Sequence, residues 1–301
     1  MPEVQAPARS ETDESTYTPQ SAVIIVAHPD DIEYSCGGTL ALWAQRRTKL
    51  CYVLCTSGEA GIDDPAIDRN QAREIREAEQ RAAAEIIGAE EVIFLREPDG
   101  LLAPSLALRK RLVRIIRRFR PEVVVTGDPT LIWTSETFLN HPDHRAASLA
   151  ALEAAWPAAG QRNLYPDLEQ EEGLGLHRPR KLYCTGWVQP EANLFVDIET
   201  TLELKAAALQ AHKSQTRGNP EPLLRRQAAH IARGREIAFA ESFRVTTLVD
   251  DARWQRTQGD RTAEAIVQVS PLPSIGRGGE ASAGSSANLL ADPAHGRDVR
   301  P

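Results

Sequence analysis

No apolar run in the 301-residue sequence approaches the ~20 residues that span a bilayer. Stretches such as Ala22 to Ala27 and Leu50 to Cys55 are far shorter. The polar beginning lacks the apolar core of a leader, so a cytoplasmic protein with no membrane span is expected. Cysteine is scarce. Cys36, Cys51, Cys55 and Cys184 form no CxxC pair and no dense framework, which reads as small buried hydrophobes in a reducing compartment. Positive charge is short as well: 35 Lys and Arg stand against 42 Asp and Glu, a formal net charge of -7. That balance excludes a general binder of nucleic acid or anionic membrane and points to a small-molecule partner. No GxGxxG follows the first apolar run, only Cys36-Gly37-Gly38, and no P-loop occurs, which argues against a nucleotide-binding domain. Repeats at solenoid-like periods are also missing.

What remains is ordinary globular material, 42% hydrophobic and 26% charged, enough over this length for one large domain or two small ones. Residues 1–20 mix Pro, Ser, Thr and Glu without periodicity, and the chain from Gly259 onward has no aromatic residue and is crowded with Gly, Ser and Pro. The expected organisation is therefore a tail over 1–20, one domain over 21–250 and a low-complexity tail over 251–301. Within the domain, short β-branched runs alternate with helical patterns. Strands are expected at Ala22 to Ala27, Leu50 to Cys55, Glu91 to Leu95, Glu122 to Thr126, Lys181 to Trp187 and Leu194 to Ile198. Helices are expected at Gly38 to Arg46, Arg69 to Ile87, Pro104 to Phe119, Pro142 to Ala155, Leu202 to His212 and Pro222 to Ala240. Continuous apolar strands separated by helices predict an α/β, Rossmann-like layered fold, its mostly parallel sheet flanked by helices on both faces. Such sheets place ligands beyond the carboxyl ends of their strands, so chemistry is expected after Ala27, Cys55, Leu95 and Thr126.

Two His-Pro-Asp turns stand on that side: His28-Pro29-Asp30-Asp31 directly after the first strand, and His141-Pro142-Asp143-His144 at the end of the loop after the fourth. At about 5% per residue type a specified tetrapeptide occurs by chance about 0.002 times in such a chain, so the pair is not composition noise. Each turn alone suits a helix start, with Pro in the first turn and Asp complementing the dipole. Together they supply the donors of a catalytic divalent site: His28, Asp31 and His144 as metal ligands, with a position left open. Asp30, a second carboxylate beside them, is the expected general base, and His141 is expected to stabilise an oxyanion or protonate a leaving amine.

These residues, with Cys36-Gly37-Gly38-Thr39-Leu40, Thr56-Ser57-Gly58-Glu59, Arg76-Glu77-Ala78-Glu79, Pro98-Asp99-Gly100 and His212-Lys213-Ser214-Gln215, resemble the PIG-L/LmbE-like zinc-dependent N-deacetylases over about Ser21 to Gln215. The resemblance implies removal of an N-acetyl group from an N-acetylglucosamine derivative, with zinc, or ferrous iron, as the ion. It implies the same roles for His28, Asp31, His144, Asp30 and His141, and sugar contacts from Arg76 and Asp99. Self-association is implied by resemblance alone. Leu139 departs from the glucosaminyl-inositol deacetylases, which place a Tyr there, and this argues against the inositol-thiol substrate. Alternatives are an amidase acting on a related sugar or thiol conjugate, or a non-catalytic sugar-binding protein of the same fold.

Other residues have two readings. Glu59 is either a contact to a substrate hydroxyl or part of a turn. Trp133 and Phe138 form either a cleft wall or plain packing. The helix with Arg109, Lys110, Arg111, Arg114, Arg117 and Arg118 reads as a solvated face. His212 reads as a cap or a support to the site, and Cys36 as inert core.

Overall fold

The computed structural model describes residues 16–186 and 189–261. The chain runs β1 (Ser21–Val26), α1 (Asp31–Ser35), α2 (Gly37–Gln45), β2 (Lys49–Thr56), α3 (Arg69–Ile87), β3 (Glu91–Glu97), α4 (Leu106–Phe119), β4 (Val123–Gly127) and α5 (Pro142–Ala155). It continues through α6 (Pro166–Gln170), β5 (Lys181–Thr185), β6 (Leu194–Asp197), α7 (Leu202–Gln210), α8 (Glu221–Ile231), β7 (Ala240–Thr247) and α9 (Asp251–Arg261). The seven strands form one sheet in the order β3-β2-β1-β4-β5-β7-β6. β3 to β5 pair in parallel, and β7 runs antiparallel to both of its neighbours. This is the expected mostly parallel α/β sheet flanked by helices.

Alternation along β1 explains its two-sided burial. Ala22, Ile24 and Val26 point into a core with Leu40 and Trp43 of α2 and Leu209 of α7. Val23 and Ile25 point into a second core with Leu112 and Ile116 of α4 and Ala147 and Ala151 of α5. The chain leaves β1 toward β2 on one side and returns to β4 on the other. That reversal opens a crevice beyond the carboxyl ends of β1 and β4, where both His-Pro-Asp turns lie.

Local chemistry fixes the helices around the crevice. Asp68 and Gln71 form a reciprocal capping box at the start of α3, and Gly88 closes it at φ 96°. On α4, Lys110, Arg111 and Arg114 pair with Asp167, Glu97 and Glu172 at 2.6, 2.6 and 2.7 Å, and Arg109 and Arg118 pair with Glu153 and Glu91. The basic helix face thus meets acids of its own chain.

Three expectations need adjustment. The helix foreseen over Pro222 to Ala240 ends at Ile231, and β7 follows it. Its sequence, AESFRVTT, hides the strand because Glu241 and Arg244 interrupt the apolar run; pairing on both sides makes the strand. β5 ends at Thr185, and Trp187 lies outside the described residues. The boundaries drawn at 20 and 251 fall within built structure. Tyr17 donates to Glu122 at 2.5 Å beneath the cations of Arg180 and Lys181, and Trp254 of α9 is buried. The rest of both expected tails, 1–15 and 262–301, lies outside the described residues. No helix among the described residues is long and apolar enough to cross a membrane.

Candidate metal centre

The turn after β1 is wound tightly enough to aim successive side chains at one point. Asp30 sits at φ 91°, a left-handed conformation that costs a non-glycine residue roughly 1–3 kcal/mol. Two neighbours from α3 hold it there. The Asp30 N–H donates to Gln80 Oε1 at 3.0 Å, and Arg76 Nη2 donates to the Pro29 carbonyl at 2.7 Å. Asp31, opening α1, accepts the His28 N–H on Oδ2 at 2.9 Å and places Oδ1 3.0 Å from His144 Nε2. α5 supplies the second half: His141 is its N-cap, Pro142 its first residue, and His144 follows in the first turn.

Ligand atoms of His28, Asp31 and His144 all lie within 4.8 Å of one another, as do those of an overlapping group, His28, His141 and Asp143. Whether a cation fits is answered by the donors themselves. Two imidazoles and one carboxylate match a catalytic zinc or ferrous site with an open position. Each ring is also held from behind, as metal-ligating histidines are. His28 Nε2 faces Asp99 Oδ1 at 3.1 Å and Asp143 Oδ2 at 3.4 Å, leaving Nδ1 on the Asp31 side at 3.6 Å. His144 Nδ1 pairs with Asn140 Oδ1 at 3.0 Å.

The electrostatics ask for positive charge. Burial works against a charged His28, yet hydrogen bonds to Asp143, Asp31 and Asp99 outweigh it and push its pKa up to about 12. Burial likewise opposes His144, and Asp31 overrides it upward. Asp31 is held well below the carboxylate range by His144 and His28 despite its burial. Asp99 falls to about 2 against the cost of burial, through His28 and the Ala60 N–H. Protons therefore stand where a dication would. Loading an ion is expected to release roughly one to two protons at neutral pH, and apparent affinity is expected to fall as pH drops. Titration calorimetry in buffers of different ionisation enthalpy measures this; zero proton release would refute it.

Asp30 behaves differently. Burial first, then repulsion from Asp31, raises it to about 7 against the pull of Arg76, His212 and His28. His141 is the more open of the three rings. Burial and the His28 charge push its pKa down, and its Nδ1 accepts the Asp143 N–H at 3.2 Å. A neutral ring accepting on Nδ1 carries its hydrogen on Nε2.

The residues expected to touch sugar lie beside the centre, each bonded within the protein. Arg76 is buried, with its guanidinium on the carbonyls of Gly58 and Pro29 and 3.3 Å from Asp30 Oδ2. It braces the turn and the Asp30 carboxylate. Asp99 backs His28 and accepts the Ala60 N–H at 2.8 Å. Glu59 is buried as well, Oε1 accepting from Arg69 and from the Asp99 N–H. Trp133 and Phe138 are exposed on a hairpin-like loop bridged from Trp133 to Leu139.

Four supports went unassigned or underread in the sequence. Asp143 accepts the Gly100 and Leu102 N–H groups and locks that loop against His28. His212 Nε2 lies 3.2 Å from Glu33 Oε2, Glu33 Oε1 accepts from Gln80, and Gln80 reaches Asp30. Asp143 belongs to one of the quoted turns and Glu33 lies two residues past the other, which was the available signal; Gln80 had none. Cys36 is buried, as expected of inert core, and burial pushes its thiol up. Beside the centre lies a cavity of about 610 Å³ bordered by Asp31 and His144.

Residues 23–155 match the PIG-L family model, GlcNAc-PI de-N-acetylase. Over that segment the chain is similar to the PIG-L family. Diacetylchitobiose deacetylase of Thermococcus kodakarensis is 28% identical over 230 residues, covering 75% of this chain and 82% of that protein. The 1D-myo-inositol 2-acetamido-2-deoxy-alpha-D-glucopyranoside deacetylase of Rhodococcus erythropolis is 29% identical over 249 residues, covering 66% of this chain and 82% of its own. The solved N,N'-diacetylchitobiose deacetylase from Pyrococcus horikoshii, complexed with its inhibitor MPG, matches at a TM-score of 0.68 and 27% identity, covering 76% of this chain and 84% of that one. The matched PIG-L segment contains both His-Pro-Asp turns.

Proposed function

We propose that this protein is a metal-dependent hydrolase that removes the acetyl group from an N-acetylglucosamine derivative. The convergence of His28, Asp31 and His144 within 4.8 Å, beside Asp30, carries the reading. Relatives whose names state deacetylation of acetamido sugars support the substrate class. His28, Asp31 and His144 would hold the ion, zinc or ferrous iron by donor chemistry. When bound, the ion supplies Lewis acidity toward an amide carbonyl and a nucleophile at neutral pH.

The chain's own groups do the rest. Asp30 takes a proton from the attacking water as the new C–O bond forms. His141 Nε2–H donates toward the oxygen that gains charge, so an oxyanion contact suits it better than proton donation. The C–N bond then breaks, and the departing nitrogen takes the proton held by Asp30, giving carboxylate and free amine. Arg76, Asp99 and Glu59 act as positioning residues that hold the base, the His28 ring and the 99–102 loop. Free cysteines at positions 36, 51, 55 and 184 support a reducing compartment such as the cytoplasm.

The test combines metal analysis of purified protein with a free-amine assay on N,N'-diacetylchitobiose and other N-acetylglucosamine derivatives. Stoichiometric metal and amine release are expected, and His28→Ala is expected to lose both. A protein that binds no divalent ion, or that releases no amine when loaded, would refute the proposal.

A further inference from the structure

The cavity beside the centre is larger and less polar than an acetyl group requires. Its floor is the end of the sheet, where Ile24, Val26 and Val125 meet Cys36 of the α1–α2 junction, all buried. Half-buried Leu131 and exposed Phe138 line it as well. Four hydroxyl groups on its wall donate within the protein. Ser35 donates to the Asp31 carbonyl at 2.7 Å, Thr126 to Ile25 at 2.8 Å, Ser148 to His144 at 2.5 Å and Thr185 to Ser242 at 3.2 Å. The carboxylate of Asp128 is covered by Thr130 and Gln189, and the Asn140 amide by His144 and the Leu131 carbonyl. Those side chains spend their donors within the protein and keep only acceptor capacity for a sugar, and apolar side chains make up much of the surface between them. Apolar chain is what such a space accepts.

The position of the cavity says which end of an amide it serves. Asp31 and His144 border it; Asp30 and His141 do not. The departing nitrogen must lie near Asp30, which returns its proton and does not border the cavity. The acyl substituent on the same carbonyl carbon therefore points the other way, into the cavity. At ~30 Å³ per methylene, taken as a water's share of liquid volume, half of the 610 Å³ would hold about ten.

We propose that this site also hydrolyses amides of glucosamine bearing medium-length straight acyl chains, about four to eight carbons, with the chain lodged in the cavity under Asp31 and His144. The inference rests on the hydrolase reading above and deepens it. The reaction is the same: water adds its oxygen to the acyl carbon, the C–N bond breaks, and a fatty carboxylate leaves with the protonated amine of glucosamine. No co-reactant other than water is consumed.

The experiment measures kcat/KM of the metal-loaded protein on N-acetyl-, N-butanoyl-, N-hexanoyl- and N-octanoylglucosamine by amine release. Each added methylene is expected to raise kcat/KM by about fourfold through the hexanoyl compound. Leu131→Trp, which puts a larger side chain on the cavity lining, is expected to lower the hexanoyl-to-acetyl ratio about tenfold, a readout that cancels any general loss of folded protein. An acetyl amide that is turned over while the series stays flat or falls overturns the inference and leaves the hydrolase reading standing. A ratio unmoved by Leu131→Trp overturns it too. So does a gain confined to the octyl glycoside of N-acetylglucosamine, which would put the apolar group on the sugar side. If loaded protein releases amine from none of these compounds, the hydrolase reading fails and the inference goes with it.

Discussion

Replacing Asp30 by Asn should cut turnover by about 10²–10⁴-fold while metal content stays at the level of the unmodified protein. The geometry separates the two effects. Asp30 is not in either group of converging ligand atoms, so the ion loses no donor. The turn is held by the Asp30 N–H on Gln80 and by Arg76 on the Pro29 carbonyl, and neither bond involves the changed oxygen. The amide oxygen of Asn can still face Arg76, 3.3 Å from the present carboxylate. What disappears is the ability to take a proton. The pH profile provides an independent reading. Burial and Asp31 raise Asp30 to about 7 in the metal-free protein, and a cation nearby lowers it from there. A base works when deprotonated, so kcat/KM of the unmodified protein should fall as pH drops through that region and level off above it. The Asn variant should lose this acid limb along with the rate. An Asn variant that turns over at the full rate would remove Asp30 from the mechanism.

The grouping of His28, Asp31 and His144 was open to reading from the sequence because its parts come in two short turns, each following an apolar run. A strand end fixes where His28 emerges, and a helix start fixes His141 and His144. Chain connectivity through right-handed crossovers then brings both turns to the same edge of the sheet. The supports were harder to see, since contact partners far apart in sequence leave no local pattern. Gln80 looks like any polar residue of an amphipathic helix, yet it reaches both Glu33 and Asp30. Arg76 and Asp99 illustrate the converse. A charged residue near a site suggests a substrate contact, but both side chains turn inward to backbone carbonyls, an amide N–H and an imidazole. β7 was missed for a related reason. The residues that break its apolar alternation, Glu241 above all, are there for long-range partners.

Glu241 is the residue whose loss should damage the fold most. It lies on β7, buried, and accepts Lys205 Nζ at 2.6 Å and the Gly38 and Thr39 N–H groups at 2.9 and 2.7 Å. The carboxylate thus closes the amino end of α2 and neutralises an ammonium that is itself buried. Gly38 lets this junction close, because a Cβ there would stand 2.9 Å from Ile198. Glu241→Ala leaves one buried cation unpaired and two helix N–H groups without their acceptor. Breaking a buried pair from one side costs about 3–5 kcal/mol, a large share of the about 5–15 kcal/mol that holds a typical domain folded. With m near 1–3 kcal/mol/M, the urea midpoint should drop by roughly 1–5 M at unchanged slope. Glu241→Gln, which keeps an acceptor oxygen for one N–H, should lose less. Because α2 follows directly on the helix that Asp31 opens, metal occupancy of the Ala variant should fall at a denaturant concentration where the unmodified protein is still loaded. A midpoint equal to that of the unmodified protein would mean that this pair does not hold the α2 end against β7.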